Sequence, residues 1–215
     1  MRNEQVIVKI LDVGCGDGGF LELQDNRLRV NSWLMENGGE DSYGVDINPI
    51  YVERAKSKIA NGTRFLVADG RQLPFLNAFF DVIHNSGSLH HMKDYDVAIE
   101  EFARVGKRGS ILLLSESVDN NLIFATLRRL IGSWRGDPIG SYFRSEDILK
   151  FLEEFYYLVK IEYYWRSLIS DGIVELGIKE PQISYIWCHM ISKVLKFLCL
   201  DEMFCSHLVV KAIKK

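Results

Sequence analysis

The chain has 215 residues, of which 47% are hydrophobic and 26% are charged, and its formal net charge is −3 at pH 7. These values predict one globular domain over residues 1–215 and give no general electrostatic reason to bind nucleic acid. The four cysteines form no C-x-x-C pair, and no apolar run reaches the roughly 18 to 20 residues of a membrane span. The sequence therefore favours a reduced, cytoplasmic protein and predicts neither a metal site nor a transmembrane segment.

In the first half of the chain, predicted strands alternate with predicted helices. Apolar runs predict strands over 6–13, 42–46, 64–68, 80–84 and 110–114. Helical patterns cover 18–34, 49–60 and 95–105. This alternation predicts an α/β protein whose parallel sheet is covered on both faces.

The second half of the chain is less regular. Its predicted elements are helices over 121–131, 145–155 and 184–200 and strands over 158–165 and 207–213. Ser145 is the expected N-cap of the second of these helices. The helix over 184–200 is amphipathic, and its apolar side is expected to face the core.

A glycine-rich turn directly follows the first predicted strand. Glycines there let the backbone turn tightly and approach a ligand, which the N–H groups of the next helix would face. Gly14, Gly16 and Gly19 fit the dinucleotide fingerprint, whereas Asp12, Gly14, Gly16 and Gly18 resemble the loop of class I S-adenosylmethionine (SAM) methyltransferases. The carboxylate of Asp12 favours the second pattern, because it suits the cationic amino-acid end of SAM better than a pyrophosphate.

Polar residues also follow the next predicted strands. Asp46 ends strand two, where an acidic residue can hold both ribose hydroxyls of a nucleotide. Asp69 follows strand three and Asn85 follows the predicted end of strand four. Because ligands of open α/β sheets bind at the carboxyl ends of the strands, these residues predict one site.

With these motifs, the chain resembles the class I SAM-dependent methyltransferases of the small-molecule type, related to ubiquinone and sterol methyltransferases. The resemblance covers about residues 6–117. It implies a Rossmann-like, doubly wound sheet of seven strands, mostly parallel, whose last strand at 207–213 runs antiparallel beside strand five. It also implies SAM as the cofactor and S-adenosylhomocysteine as its product. The implied cofactor-binding residues are Asp12, Gly14, Cys15, Gly16 and Gly18 at the methionine end, Asp46 at the ribose, Ile47, Ala68, Asp69 and Gly70 at the adenine, and Asn85 and Ser86 near the sulfonium.

Three histidines lie in or after strand four. His84 is expected to be a hydrogen-bonded core residue because it falls inside the strand. His90 and His91 are the candidate catalytic acid/base residues, since histidine titrates near neutral pH. A structural role for this pair stays open, because the resembling family carries the same pair in non-catalytic members.

The predicted function is transfer of a methyl group from SAM to a small-molecule acceptor by in-line displacement. The acceptor is expected to be apolar or aromatic, and residues 121–143 are expected to form a lid over it. The sequence leaves the oligomeric state open. Two alternatives remain, namely a nicotinamide-dependent oxidoreductase and a non-catalytic partner subunit with the same fold.

Overall fold

The computed structural model describes residues 8–18, 38–59, 62–120, 126, 143–164, 190–191, 193–194, 197–198 and 207–215, with the backbone alone at 38–40 and 164. In these residues, no helix is both long enough and apolar enough to cross a membrane.

Seven strands of the described chain form one mixed sheet. The strands are β1 (Val8–Val13), β2 (Gly38–Asp46), β3 (Arg64–Val67), β4 (Phe80–Ser86), β5 (Gly106–Ser117), β6 (Tyr156–Tyr164) and β7 (His207–Lys214). Their spatial order is β3-β2-β1-β4-β5-β7-β6, and β7 runs antiparallel to both β5 and β6. The predicted fold class is therefore confirmed, including the position of the last strand beside β5.

The helices whose bounds the structure describes are α1 (Pro49–Lys58), α2 (Tyr95–Val105) and α3 (Ser145–Phe155), with a short 3₁₀ turn over Leu89–His91. Alternate residues of the central strands enter two separate hydrophobic clusters. Leu11 and Ile83 belong to the larger one, while Ile10 and Val82 belong to the other. Because successive side chains of a strand point to opposite faces, both faces of the sheet are covered, as the continuous apolar runs predict.

Three predicted strand starts differ from the structure. β2 begins at Gly38 rather than at residue 42, β5 begins at Gly106 rather than at residue 110, and β6 begins at Tyr156 rather than at residue 158. Helix α2 passes into β5 without a loop, and the β4–β5 register shifts after the pairing of Phe80 with Gly106. Gly109 lies in this irregular stretch and has a φ of +78°. Because a glycine with this conformation is typical of turns, the sequence pattern before residue 110 resembles a loop rather than a strand.

The prediction that Ser145 caps α3 is wrong. Arg144 is the N-cap residue, and Ser145 is a buried first helical residue. The backbone N–H of Ser145 donates to Asn120 Oδ1 (2.9 Å), and its hydroxyl accepts from Asn120 Nδ2 (2.8 Å). The start of α3 is therefore anchored just beyond the carboxyl end of β5.

The apolar side of the helix predicted over 184–200 is expected to face the core. For the apolar residues that the structure describes there, this prediction is wrong except at Ile191, which is partly buried. Met190, Val194 and Leu198 are each more than half exposed. The rest of that predicted helix lies outside the described residues.

An ion pair on α2 holds the loop that follows β3. Glu101 accepts from Arg104 Nε (2.6 Å) and from the backbone N–H of Leu73 (2.8 Å). Arg104 in turn donates to the carbonyls of Leu73 and Phe75. The hydrogen bonds from Arg104 hold the pKa of Glu101 below its ordinary value, so the pair contributes stability at neutral pH.

We expect Glu101→Gln to lower the free energy of unfolding at pH 7 by about 1 kcal/mol, because a charge-assisted contact is lost. A carboxyl with a lowered pKa loses its stabilising effect as the pH falls, so the difference should shrink below about pH 4.3, the ordinary glutamate pKa. Urea unfolding at several pH values measures this, with Glu100→Gln, at the exposed neighbour, as the control. If Glu101→Gln lowers the free energy of unfolding by the same amount at every pH, the charge of Glu101 does not cause the stabilisation.

Candidate functional site

The glycine turn joins the end of β1 to the end of β2. The N–H groups of Gly14 and Cys15 both donate to the carbonyl of Val45, at 2.8 and 2.9 Å. Gly14 and Gly16 have φ values of +70° and +55°, which side-chain-bearing residues rarely adopt. A Cβ added at Gly16 would meet no atom of the described residues within 4 Å, so those residues leave open space beside the turn.

Gly14 packs against the loop that follows β4. A Cβ added at Gly14 would lie 2.1 Å from Ser88 Oγ and 2.3 Å from Ser88 Cβ. Ser88 cannot retreat easily, because its hydroxyl donates to the carbonyl of Val13 (3.2 Å) and accepts from Asn85 Nδ2 (2.6 Å). The carboxyl ends of β1 and β4 are thereby tied together.

We expect Gly14→Ala to destabilise the protein more than Gly16→Ala. Both variants force alanine into the left-handed region, at roughly 1 to 2 kcal/mol, whereas only Gly14→Ala also displaces Ser88, at roughly 1 to 3 kcal/mol more. Chemical denaturation of the two variants without ligand gives the comparison. Equal losses of unfolding free energy in the two variants would show that Ser88 can move aside at no energetic cost.

Asp12 is a buried carboxylate on β1, with only 2% of its surface exposed. Its Oδ1 lies 2.7 Å from Nδ1 of His84, which confirms His84 as a buried, hydrogen-bonded residue. Among the described residues, its Oδ2 is buried without a hydrogen-bond partner. An unsatisfied carboxylate oxygen is costly, so this atom is a ready acceptor for a donor that the described residues do not supply.

Asn85 gives a second such acceptor at the end of β4. The residue is fully buried, and its Nδ2 donates to the carbonyl of Val13 (3.0 Å) as well as to Ser88. Its Oδ1 has no hydrogen-bond partner in the part of the chain that the structure describes. Ser86, the next predicted site residue, is exposed.

Asp46 connects the end of β2 to the glycine turn. Its Oδ2 accepts from the N–H of Gly16 (2.9 Å), and its Oδ1 accepts from the N–H of Asn48 (2.8 Å). Each carboxylate oxygen can accept more than one hydrogen bond, so both retain capacity for a hydroxyl donor. The neighbouring Ile47 is 66% exposed and offers an apolar side chain at the same edge.

The predicted adenine residues after β3 have partners of their own. Asp69 accepts from Arg71 through its Nε (3.1 Å), its Nη2 (2.7 Å) and its backbone N–H (2.9 Å), and these bonds lower the pKa of Asp69. An adenine amino group would therefore share Asp69 with Arg71. Ala68 is partly buried, and Gly70 fits closely between Val13 and Met92.

Cys15 faces the core rather than the open side of the turn. It is buried in a cluster with Val52, Ala55 and Phe65, and burial raises the pKa of its thiol. A contact of this residue with a cofactor would therefore come from its backbone.

The two candidate catalytic histidines differ in their surroundings. His90 Nδ1 lies 2.7 Å from Oε2 of Glu116, whereas His91 is exposed, with its ring centroid 4.0 Å from that of His90. Glu116 is fully buried near the carboxyl end of β5. Its Oε1 accepts from the N–H groups of Ser88 (2.8 Å) and Leu89 (2.7 Å), so it also fixes the start of the 3₁₀ turn.

Known methyltransferases resemble this chain in sequence and in fold. Residues 11–114 match the sequence profile of a family described as methyltransferase domain. In solved structures, the SAM-dependent methyltransferase of Mesorhizobium loti superposes with a TM-score of 0.66 at 17% identity, covering 98% of this chain and 92% of that one. Residues 11–114 are thus similar in sequence to a methyltransferase domain, and the chain has the fold of the class I SAM-dependent methyltransferases. A Bacillus halodurans protein described as a putative methyltransferase superposes with a TM-score of 0.66 at 18% identity, covering 97% of this chain and 93% of that one. At these identities, the structural matches show the fold alone.

Curated methyltransferases match the chain over shorter stretches. Tocopherol O-methyltransferase of Arabidopsis thaliana is 28% identical over 126 residues, which are 56% of this chain and 33% of that protein. A ubiquinone/menaquinone biosynthesis C-methyltransferase of Campylobacter jejuni is 30% identical over 110 residues (51% and 44%). The 27-O-demethylrifamycin SV methyltransferase of Amycolatopsis mediterranei is 33% identical over 113 residues (50% and 38%). The chain thus spans less than half the length of these relatives, and SAM is the methyl donor that the family implies.

The described residues of the candidate site are arranged in two groups. The first surrounds the glycine turn and contains Asp12, Gly14, Gly16, Asp46 and Asn85, which the structure brings to one edge of the sheet. The second is the His90–Glu116 pair, of which the sequence predicts only the histidine. The sequence signal for Glu116 is an acidic residue two positions after the apolar run of strand five.

Proposed function

We propose that this protein transfers a methyl group from SAM to a small-molecule acceptor at the carboxyl edge of its sheet. The observation that carries the proposal is the pair of buried, partnerless acceptor oxygens, Asp12 Oδ2 and Asn85 Oδ1, on the two strands that flank the glycine turn. SAM ends in an ammonium group, so its methionine end supplies the donors that such acceptors lack. The acceptor oxygens at this edge therefore fit the cofactor.

Other residues at the edge complete the proposed cofactor site. Asp46 retains acceptor capacity for ribose hydroxyls, and Ile47 offers an exposed apolar surface for the adenine. When bound, SAM supplies a methyl group on a positively charged sulfur. The residues of this chain then have to orient the acceptor in line with that methyl group and exclude water, and positioning of this kind can contribute roughly 7 to 11 kcal/mol.

The acceptor is proposed to be a small, apolar or aromatic molecule. The names of the curated relatives describe transfer to oxygen or to carbon of small molecules. The predicted lid at 121–143 lies outside the described residues except for Thr126 and Phe143. The two ends of the predicted lid lie next to each other, because the N–H of Asp119 donates to the carbonyl of Phe143 (2.8 Å). The lid and a cytoplasmic location stay predictions.

Titration calorimetry of the full chain with SAM, S-adenosylhomocysteine and NADH tests the cofactor. We expect binding of the first two and none of NADH, and the reverse result would favour the oxidoreductase alternative. Incubation with SAM carrying a labelled methyl group and a small-molecule cell extract tests the transfer. Binding without any transfer would favour the non-catalytic alternative.

A further inference from the structure

We propose that the acceptor group is a hydroxyl, that His90 removes its proton, and that the buried Glu116 is the residue that positions His90 as a base. This inference rests on the proposed methyl transfer and adds the class of acceptor to it. In the step, His90 Nε2 takes the hydroxyl proton while the acceptor oxygen forms a bond to the methyl carbon. The carbon–sulfur bond breaks with its electron pair left on sulfur, and the imidazolium then releases the proton to water.

In the proposed dyad, Glu116 selects the ring tautomer of His90. With a carboxylate oxygen as the acceptor of the 2.7 Å contact, the donor is the N–H at His90 Nδ1. In the neutral ring, Nε2 is then the basic nitrogen. The same carboxylate stabilises the positive charge that His90 acquires when it takes a proton, as in other acid–histidine pairs.

A purely structural role would not require this arrangement. Capping the 3₁₀ turn uses Oε1 of Glu116 alone, which accepts from Ser88 and Leu89. Oε2 is directed to His90, and burying a carboxylate is costly unless all its contacts are favourable. An amine or thiol acceptor is nucleophilic without a strong base, whereas a hydroxyl gains much from one.

The dyad lies at the cofactor edge. Ser88, two residues before His90, is the residue that packs against Gly14 of the glycine turn. The side chain of His90 is 14% exposed, so it reaches the surface while its partner does not. His91 lies beside it and is exposed, with its ring centroid 4.0 Å from that of His90.

The test uses Glu116→Gln in the full chain. A glutamine oxygen can still accept from Ser88 and Leu89, but its amide would donate to His90 Nδ1 and move the ring proton to Nε2. Long-range proton–nitrogen NMR spectra of the ¹⁵N-histidine-labelled protein report the tautomer, with His90 assigned through His90→Gln. We expect a basic Nε2 in the wild type, a basic Nδ1 in Glu116→Gln, and unchanged affinity for S-adenosylhomocysteine in both.

Transfer is followed with ¹³C-methyl SAM and the cell extract, because the carbon shift of the product distinguishes methyl groups on oxygen, nitrogen, sulphur and carbon. We expect an oxygen-bound methyl and a loss of about 100-fold or more in rate for both Glu116→Gln and His90→Gln, with little change for Glu100→Gln, at an exposed glutamate of α2. A methyl on another atom, an undiminished rate in His90→Gln, or a wild-type His90 with a basic Nδ1 overturns this inference and leaves the proposed function in place. No transfer at all overturns both.

Discussion

Asp46→Ala is expected to weaken the binding of S-adenosylhomocysteine by a factor of roughly 10² to 10⁴. In the proposed site, the carboxylate accepts both ribose hydroxyls, and two charge-assisted hydrogen bonds of about 1.5 to 3 kcal/mol each would be lost. Asp46 also accepts from the N–H of Gly16, so the variant loosens the turn that holds the methionine end. Titration calorimetry measures the dissociation constants of the two proteins.

The control is Asp81→Ala, because Asp81 is likewise partly buried and accepts from Lys107 Nζ (2.7 Å) and the N–H of Lys9 (2.9 Å). It lies at the amino end of β4, away from the proposed site. Asp81→Ala should lower stability and leave the affinity unchanged. A folded Asp46→Ala protein with wild-type affinity would place the ribose elsewhere.

The sequence predicts the parts of this molecule that depend on local pattern. The strands that form the cofactor edge, the exact bounds of α2 and the glycine turn all follow from apolar runs and from glycine spacing. Where prediction fails, tertiary contacts compete with local propensity. Ser145 has the preferred chemistry of an N-cap, yet it is drawn inside the helix by two hydrogen bonds with Asn120, 25 residues earlier.

The same limit applies to the site. Asp69 precedes a glycine after a strand, which predicts a ligand contact, but the spacing gives no sign that Arg71 turns back on its carboxylate. Glu116 is 26 residues from His90 in the chain, and their contact exists only because β4 and β5 are neighbours in the sheet. Residues of this kind are found only when the ends of adjacent strands are considered together.

Asp12→Asn is expected to change affinity and stability in opposite directions. The asparagine can still accept from His84 through one oxygen, so the pair is kept. Without ligand, a buried charge with a partnerless oxygen is replaced by a neutral amide, and the free energy of unfolding should stay level or rise by about 1 kcal/mol. With ligand, the acceptor for the SAM ammonium group is lost, so the affinity for S-adenosylhomocysteine should fall by roughly 10- to 100-fold.

The opposite signs make this prediction specific to a binding role for Asp12. If the carboxylate only supported the fold through His84, Asp12→Asn would lower stability and leave affinity nearly unchanged. Denaturation without ligand and calorimetry on the same preparation separate the two cases. The thermal shift produced by saturating S-adenosylhomocysteine should also shrink in the variant, because ligand stabilisation follows the ratio of ligand concentration to Kd. A stable variant that binds as tightly as the wild type would show that Asp12 Oδ2 does not face the methionine end.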